Sequence, residues 1–140
     1  MSDDPTRPGA SDPTTFSVAT GPLGFYRVPL CRAVDTRGIN PLVSGTPQTF
    51  TIGGTCNVPQ TARAIAVNLT VVVPSTAGFL TVYPSGTPAP LASTLNFARA
   101  QTRSNNTILP LASFGRFDAK AGLPGGGKLD LVVDVVGYFQ

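Results

Sequence analysis

The sequence predicts an all-β fold: a β-sandwich with jelly-roll or Greek-key-like connections, about eight or nine strands, and one disulfide. Short runs of β-branched and aromatic residues alternate with small or polar ones at a period of two, the pattern of half-buried strands. Gly (15) and Pro (14) fall between those runs, so they act as turn punctuation and not as a low-complexity tract. Hydrophobic residues make up 41% and charged ones 12%, the opposite of the balance that keeps a chain disordered. No stretch holds a helical period for longer than a turn or two. A chain of 140 residues suits one domain with one core.

The elements follow in order. Residues 1–20 read as an N-terminal arm or linker, rich in Pro, Asp, Ser and Thr at its start, with residues 21–140 as the sandwich. The run Phe16-Ser-Val-Ala19 suits a short strand, either the first of its own sheet or one added to a neighbour's edge. Phe25–Val34 is a strand, and Pro29, lacking an N–H, makes it an edge strand or one broken by a bulge. A Pro/Gly/Ser loop leads to Thr49–Ile52. Arg63–Val73 is the clearest strand: Ile65, Val67, Leu69, Val71 and Val73 share one face. The small residues Ala64, Ala66, Asn68 and Thr70 share the other with Val72, as if something packs closely over it. Ser75–Gly78 is a turn and Phe79–Tyr83 the expected return strand of a hairpin. Thr94–Phe97, Thr107–Leu111 and Arg116–Asp118 are further short strands. Leu123–Gly127 is a loop, and Lys128–Phe139 closes the chain, with Leu129, Leu131, Val133, Val135 and Phe139 on one face.

Cys31 and Cys56 are the only cysteines, and each adjoins an expected strand. Zinc wants four Cys or His ligands, and there is no His. A Cys-x-x-Cys redox motif is missing too. A disulfide is the expected state, two buried thiols the alternative, and a disulfide points to an oxidising compartment.

The net charge is +3. Arginines are scattered singly along the sequence and not clustered as a nucleic-acid footprint requires, so no nucleic-acid partner is expected. No stretch approaches the roughly 18 apolar residues of a membrane helix, so no membrane span is expected. The acidic, Pro-rich start has no apolar h-region. Export is then expected as a module of a longer secreted protein, as a mature product, or by another route.

The chain has no His and no Glu, which removes most side chains used for proton transfer and metal binding. The carboxylates are seven Asp. Asp130 and Asp134 lie four apart on one strand, roughly 13 Å, too far for a glycosidase pair on a straight strand. Asp35 can approach Asp134 only from another strand. The expected role of Asp35, Arg37, Asn68 and Asp134 is a structural polar core that fixes the sheet layers. No catalytic residue, cofactor or metal site is expected. Tyr83, just before a Pro-Gly loop, is the candidate for an exposed ring that contacts a sugar.

The blocks Val28-Pro-Leu-Cys-Arg-Ala-Val-Asp-Thr-Arg37, Ala66-Val-Asn-Leu-Thr-Val71, Gly78-Phe-Leu-Thr-Val-Tyr-Pro-Ser-Gly86, Pro90-Leu-Ala-Ser-Thr-Leu-Asn-Phe97, Asn105-Asn-Thr107 and Asp134-Val-Val-Gly-Tyr-Phe139 cover nearly everything after residue 24. Together they resemble an accessory module recurrent in secreted and cell-surface proteins of actinobacteria and other soil bacteria. That resemblance implies an extracellular module with no established activity. Low charge, many Thr and unguarded sheet edges add a motive for self-association. The expected function is a non-catalytic structural or adhesive unit on or outside the cell, forming a homo-oligomer or fibre through the arm and the sheet edges. The alternative is a carbohydrate-binding module that targets a polysaccharide.

Overall fold

A computed structural model describes Thr15–Ser17 and residues 22–140. The expected arm, residues 1–20, and the end of the expected strand over 16–19 lie outside the described residues apart from those three. Every strand pairing is antiparallel, and the strands form two sheets. In chain order they are β1 (Thr15–Ser17), β2 (Pro22–Asp35), β3 (Leu42–Val43), β4 (Gln48–Thr51) and β5 (Ala64–Val72). Then follow β6 (Gly78–Pro84), β7 (Leu95–Phe97), β8 (Arg103–Pro110), β9 (Arg116–Gly122) and β10 (Lys128–Phe139). The smaller sheet runs β4-β9-β6-β7; the larger runs β1-β2-β10-β5-β8, with β3 pairing the start of β10. The fold is a β-sandwich, as the alternation predicts.

The inward faces of the two sheets build the core. Ile65, Leu69 and Val71 of β5 and Leu131 and Val133 of β10 are fully buried and meet Phe117 of β9 and Leu80 of β6. Each such side chain contributes about 1.5–3 kcal/mol by leaving water. The period of two puts every second residue of β5 inward, which is why Ala66, Asn68, Thr70 and Val72 are only half-buried. The close cover expected over that second face is found at its start, where Phe139 lies opposite the fully buried Ala64; from Ala66 to Val72 the face is half-buried.

The expected hairpin between β5 and β6 does not form. β5 lies in the larger sheet and β6 in the smaller, where β6 pairs with β7 and β9. The chain turns across the core at Val73, which has φ +43, and Pro74, and the corner is held by Ser75, whose N–H donates to the Lys128 carbonyl and whose Oγ accepts from the Lys128 N–H. A side-chain pattern reports which residues face inward; it does not report which sheet receives the strand.

The last strand also departs from simple alternation. A bulge between Val135 and Gly137 inserts Val136, opposite the irregular stretch 28–30 of β2 that contains Pro29. Beyond it the faces swap. Tyr138 packs against the core, while Phe139 moves to the outer face beside Phe25, centroids 4.9 Å apart. Only Gly fits at 137, because the Phe25 ring occupies the space of a Cβ there.

The disulfide forms between Cys31 of β2 and Cys56 in the turn after β4, with Cα atoms 5.7 Å apart. It ties the larger sheet to the smaller one. The turn itself is tight: Cys56 and Asn57 have φ +52 and +58, and Gly54 N–H donates to the Val58 carbonyl at 2.7 Å.

Candidate functional site

The outer face of the larger sheet carries most of the polar residues singled out from the sequence. Antiparallel register places Asp134 opposite Arg32 on one side and Asn68 on the other, and Asn68 opposite Asn106. Directly opposite residues share a face, so Arg32, Asp134, Asn68 and Asn106 form one polar row across β2, β10, β5 and β8. Arg32 grips Asp134 with two bonds, Nε–Oδ1 2.9 Å and Nη2–Oδ2 3.4 Å. That contact raises the guanidinium's pKa. Asn68 and Asn106 make no side-chain hydrogen bond among the described residues, so both amides are available.

One step along the same face sits Asp35, opposite Val132. Arg37 binds it through Nε at 2.9 Å, Nη2 at 2.7 Å and its own backbone N–H at 3.1 Å. These bonds, the guanidinium first, bring the Asp35 carboxyl from its ordinary 3.8 down to about 2. Asp35, Arg37, Asn68 and Asp134 therefore lie outside the layers and not in a polar core between them. The arginine side chains are about half exposed, 52% for Arg32 and 49% for Arg37. Their parity explains the placement: the same alternation that turns Val133 and Leu69 inward turns Asp134 and Asn68 outward. The buried polar link is Thr36, whose Oγ1 donates to Asp130 and accepts from the Leu131 N–H.

This set of carboxylates holds arginines and hydroxyls. A general acid needs a pKa raised towards neutrality, and Asp35 moves the other way. Among the described residues no three His, Cys, Asp or Glu side chains gather where they could hold a metal ion.

Next to the polar row lies an apolar one. Val136, Ala66 and Ile108, with Asn106, line a shallow depression of about 600 Å³ on the outer face. Ile108 is half exposed and belongs to β8, the last strand of the sheet. That strand pairs with β5 through eight consecutive residues without a register shift. Its other side makes no backbone hydrogen bond among the described residues. Arg103 is its only charge, and it has no Lys, no bulge, and no Pro before Pro110 at its end. The strand expected over Thr107–Leu111 covers only its second half, because Arg-Ser-Asn-Asn lacks β-formers. A polar edge strand has no apolar alternation to display.

Tyr83 does not present an exposed ring. It is 5% exposed. It stands opposite Asp118, and that burial, with the carboxylate second, raises the phenol's pKa. Asp118 in turn accepts from Thr49 at 2.6 Å and Ser85 at 2.8 Å, and Ser85 opens the loop after β6. The exposed aromatic of this strand is Phe79, 46% exposed, its ring lying over Gly122. Phe79, Thr81 and Lys120 floor a cleft of about 350 Å³ walled by Ala89, Pro90 and Leu91. The accessible ring is thus at the start of the strand and not at its end, and residues 89–91 of the Pro-rich loop fold back beside it. Compared with known proteins, the chain matches no family model and no curated protein.

Proposed function

We propose that this chain is a non-catalytic extracellular module, structural or adhesive, that assembles with copies of itself. The observation that carries this reading is the edge of β8: eight residues hydrogen-bonded to β5 on one side, with guards only at the two ends, Arg103 and Pro110, and one side-chain bond across to the smaller sheet, from Asn105 to the Thr94 carbonyl. A sheet edge of that kind supplies a ready row of donors and acceptors to another strand. The Cys31–Cys56 disulfide is compatible with an oxidising compartment. No helix among the described residues is long and apolar enough to cross a membrane. The sequence blocks that resemble secreted accessory modules agree with an extracellular setting. Light scattering across a concentration series, with electron microscopy of the same samples, tests the reading. Oligomers or filaments are expected, and a strictly monomeric protein at every concentration would overturn it.

A second reading has its own support. Phe79 offers an aromatic surface on the floor of a cleft that also holds Lys120 and Thr81, the combination a carbohydrate-binding module uses to stack and orient a sugar. A glycan array is the test: binding that disappears in Phe79→Ala favours this reading, and an array without hits removes it.

A further inference from the structure

We propose that β8 pairs antiparallel with β8 of a second copy about a two-fold axis through Asn106, which joins two larger sheets into one. This inference rests on the self-assembly proposed above and adds the partner's register. Two identical strands that run antiparallel side by side in one sheet are related by an axis normal to that sheet, so both outer faces point the same way. Residues opposite one another then share a face, and the axis must pass through a residue and not between two. Among the central positions, Asn106 pairs Arg103 through Leu109 with the same segment reversed. Pro110, which has no N–H to offer, then falls just beyond the pairing. An axis through Thr107 would bring Pro110 into the ladder.

The side chains agree with this register. Asn106 would face Asn106, both amides free, and stacked or facing asparagines pair well. The row Arg32–Asp134–Asn68–Asn106 would continue without a break into its mirror sequence in the second copy. The two Arg103 side chains would stand at opposite ends, about 20 Å apart along the strand, so no like charges meet. Ile108, half exposed on the outer face, would lie opposite Ser104 of the second copy and extend the apolar row next to the depression. A seven-residue seam spans about 23 Å. Contact of that size is weaker than standard interfaces, so association should depend on concentration.

The experiment uses the full chain in sedimentation velocity at several concentrations. Asn106→Asp and Asn106→Lys each place like charges directly opposite one another at the axis. Each variant alone should dimerise at least about tenfold more weakly than the unmodified chain. Mixed in equal amounts they should recover dimers, because a carboxylate then faces an ammonium. Recovery also demonstrates that both variants are folded. If the unmodified chain associates and both single variants associate equally well, the β8 seam is wrong while self-assembly stands. Association lost in each variant and not recovered on mixing overturns the register through Asn106. An unmodified chain that never associates overturns this proposal and the self-assembly reading together.

Discussion

The two arginine–carboxylate pairs on the outer face differ in how far apart in sequence their partners lie, and that decides what they do. Arg37 and Asp35 are two residues apart, so their pairing orders one turn. Arg32 and Asp134 are 102 apart, so theirs ties β2 to β10. Exposed ion pairs contribute little to stability, and the sharper readout is titration. Asp35 should titrate near 2 by NMR, and Arg37→Ala should return it towards 3.8. Because the folded value lies below the ordinary one, the folded protein gives up its proton more readily than the unfolded chain. The pair's stabilisation is complete above pH 3.8 and disappears as pH falls through about 2. A second residue-scale expectation concerns Phe117, fully buried between the sheets. Phe117→Ala should cost about 3–5 kcal/mol in urea unfolding, from lost burial plus the cavity left behind.

At the scale of elements, the disulfide and the bulge have separable effects. Cys31 and Cys56 enclose a loop of 25 positions. Replacing both with Ser should lower stability by about 3.5 kcal/mol in the chain-entropy picture, measured by urea unfolding at matched pH. Gly137→Val should be strongly destabilising, since Phe25 and the Tyr26 carbonyl fill the space a side chain needs. The elements also indicate what the sequence could reveal. β5 and most of β10 were legible because one face is buried and apolar, so burial is written as alternation. The swap after Val136 was not, because a bulge changes register without changing composition. β8 was half invisible for a related reason: at an exposed edge, Ser104, Asn105 and Asn106 are held by backbone pairing to β5 and not by apolar burial. Tyr83 is buried and Phe79 half exposed although both stand on the same face of β6, and that difference is not encoded in the strand's own pattern.

For the whole molecule, the sandwich was predictable from strand count and turn spacing, but the strand order was not. Only β1–β2 and β6–β7 pair with their sequence neighbours among the described strands; the other pairings join distant segments. The candidate seam is an outcome of that order, since it exists only because β8 ends up outermost. Gly24 and Gln140 exchange two backbone hydrogen bonds of 3.1 Å, so the start of β2 and the end of β10 lie side by side in the larger sheet. Tension applied between them would act like a zip fastener, opening Phe25–Phe139, then Tyr26–Tyr138, then Arg27–Gly137 in turn. The unzipping would reach Cys31, where the covalent link to Cys56 takes the strain and shields the enclosed residues from extension. In single-molecule pulling, adding reductant should lengthen the fully stretched chain by about 80 Å; equal lengths would show that the clasp bears no force.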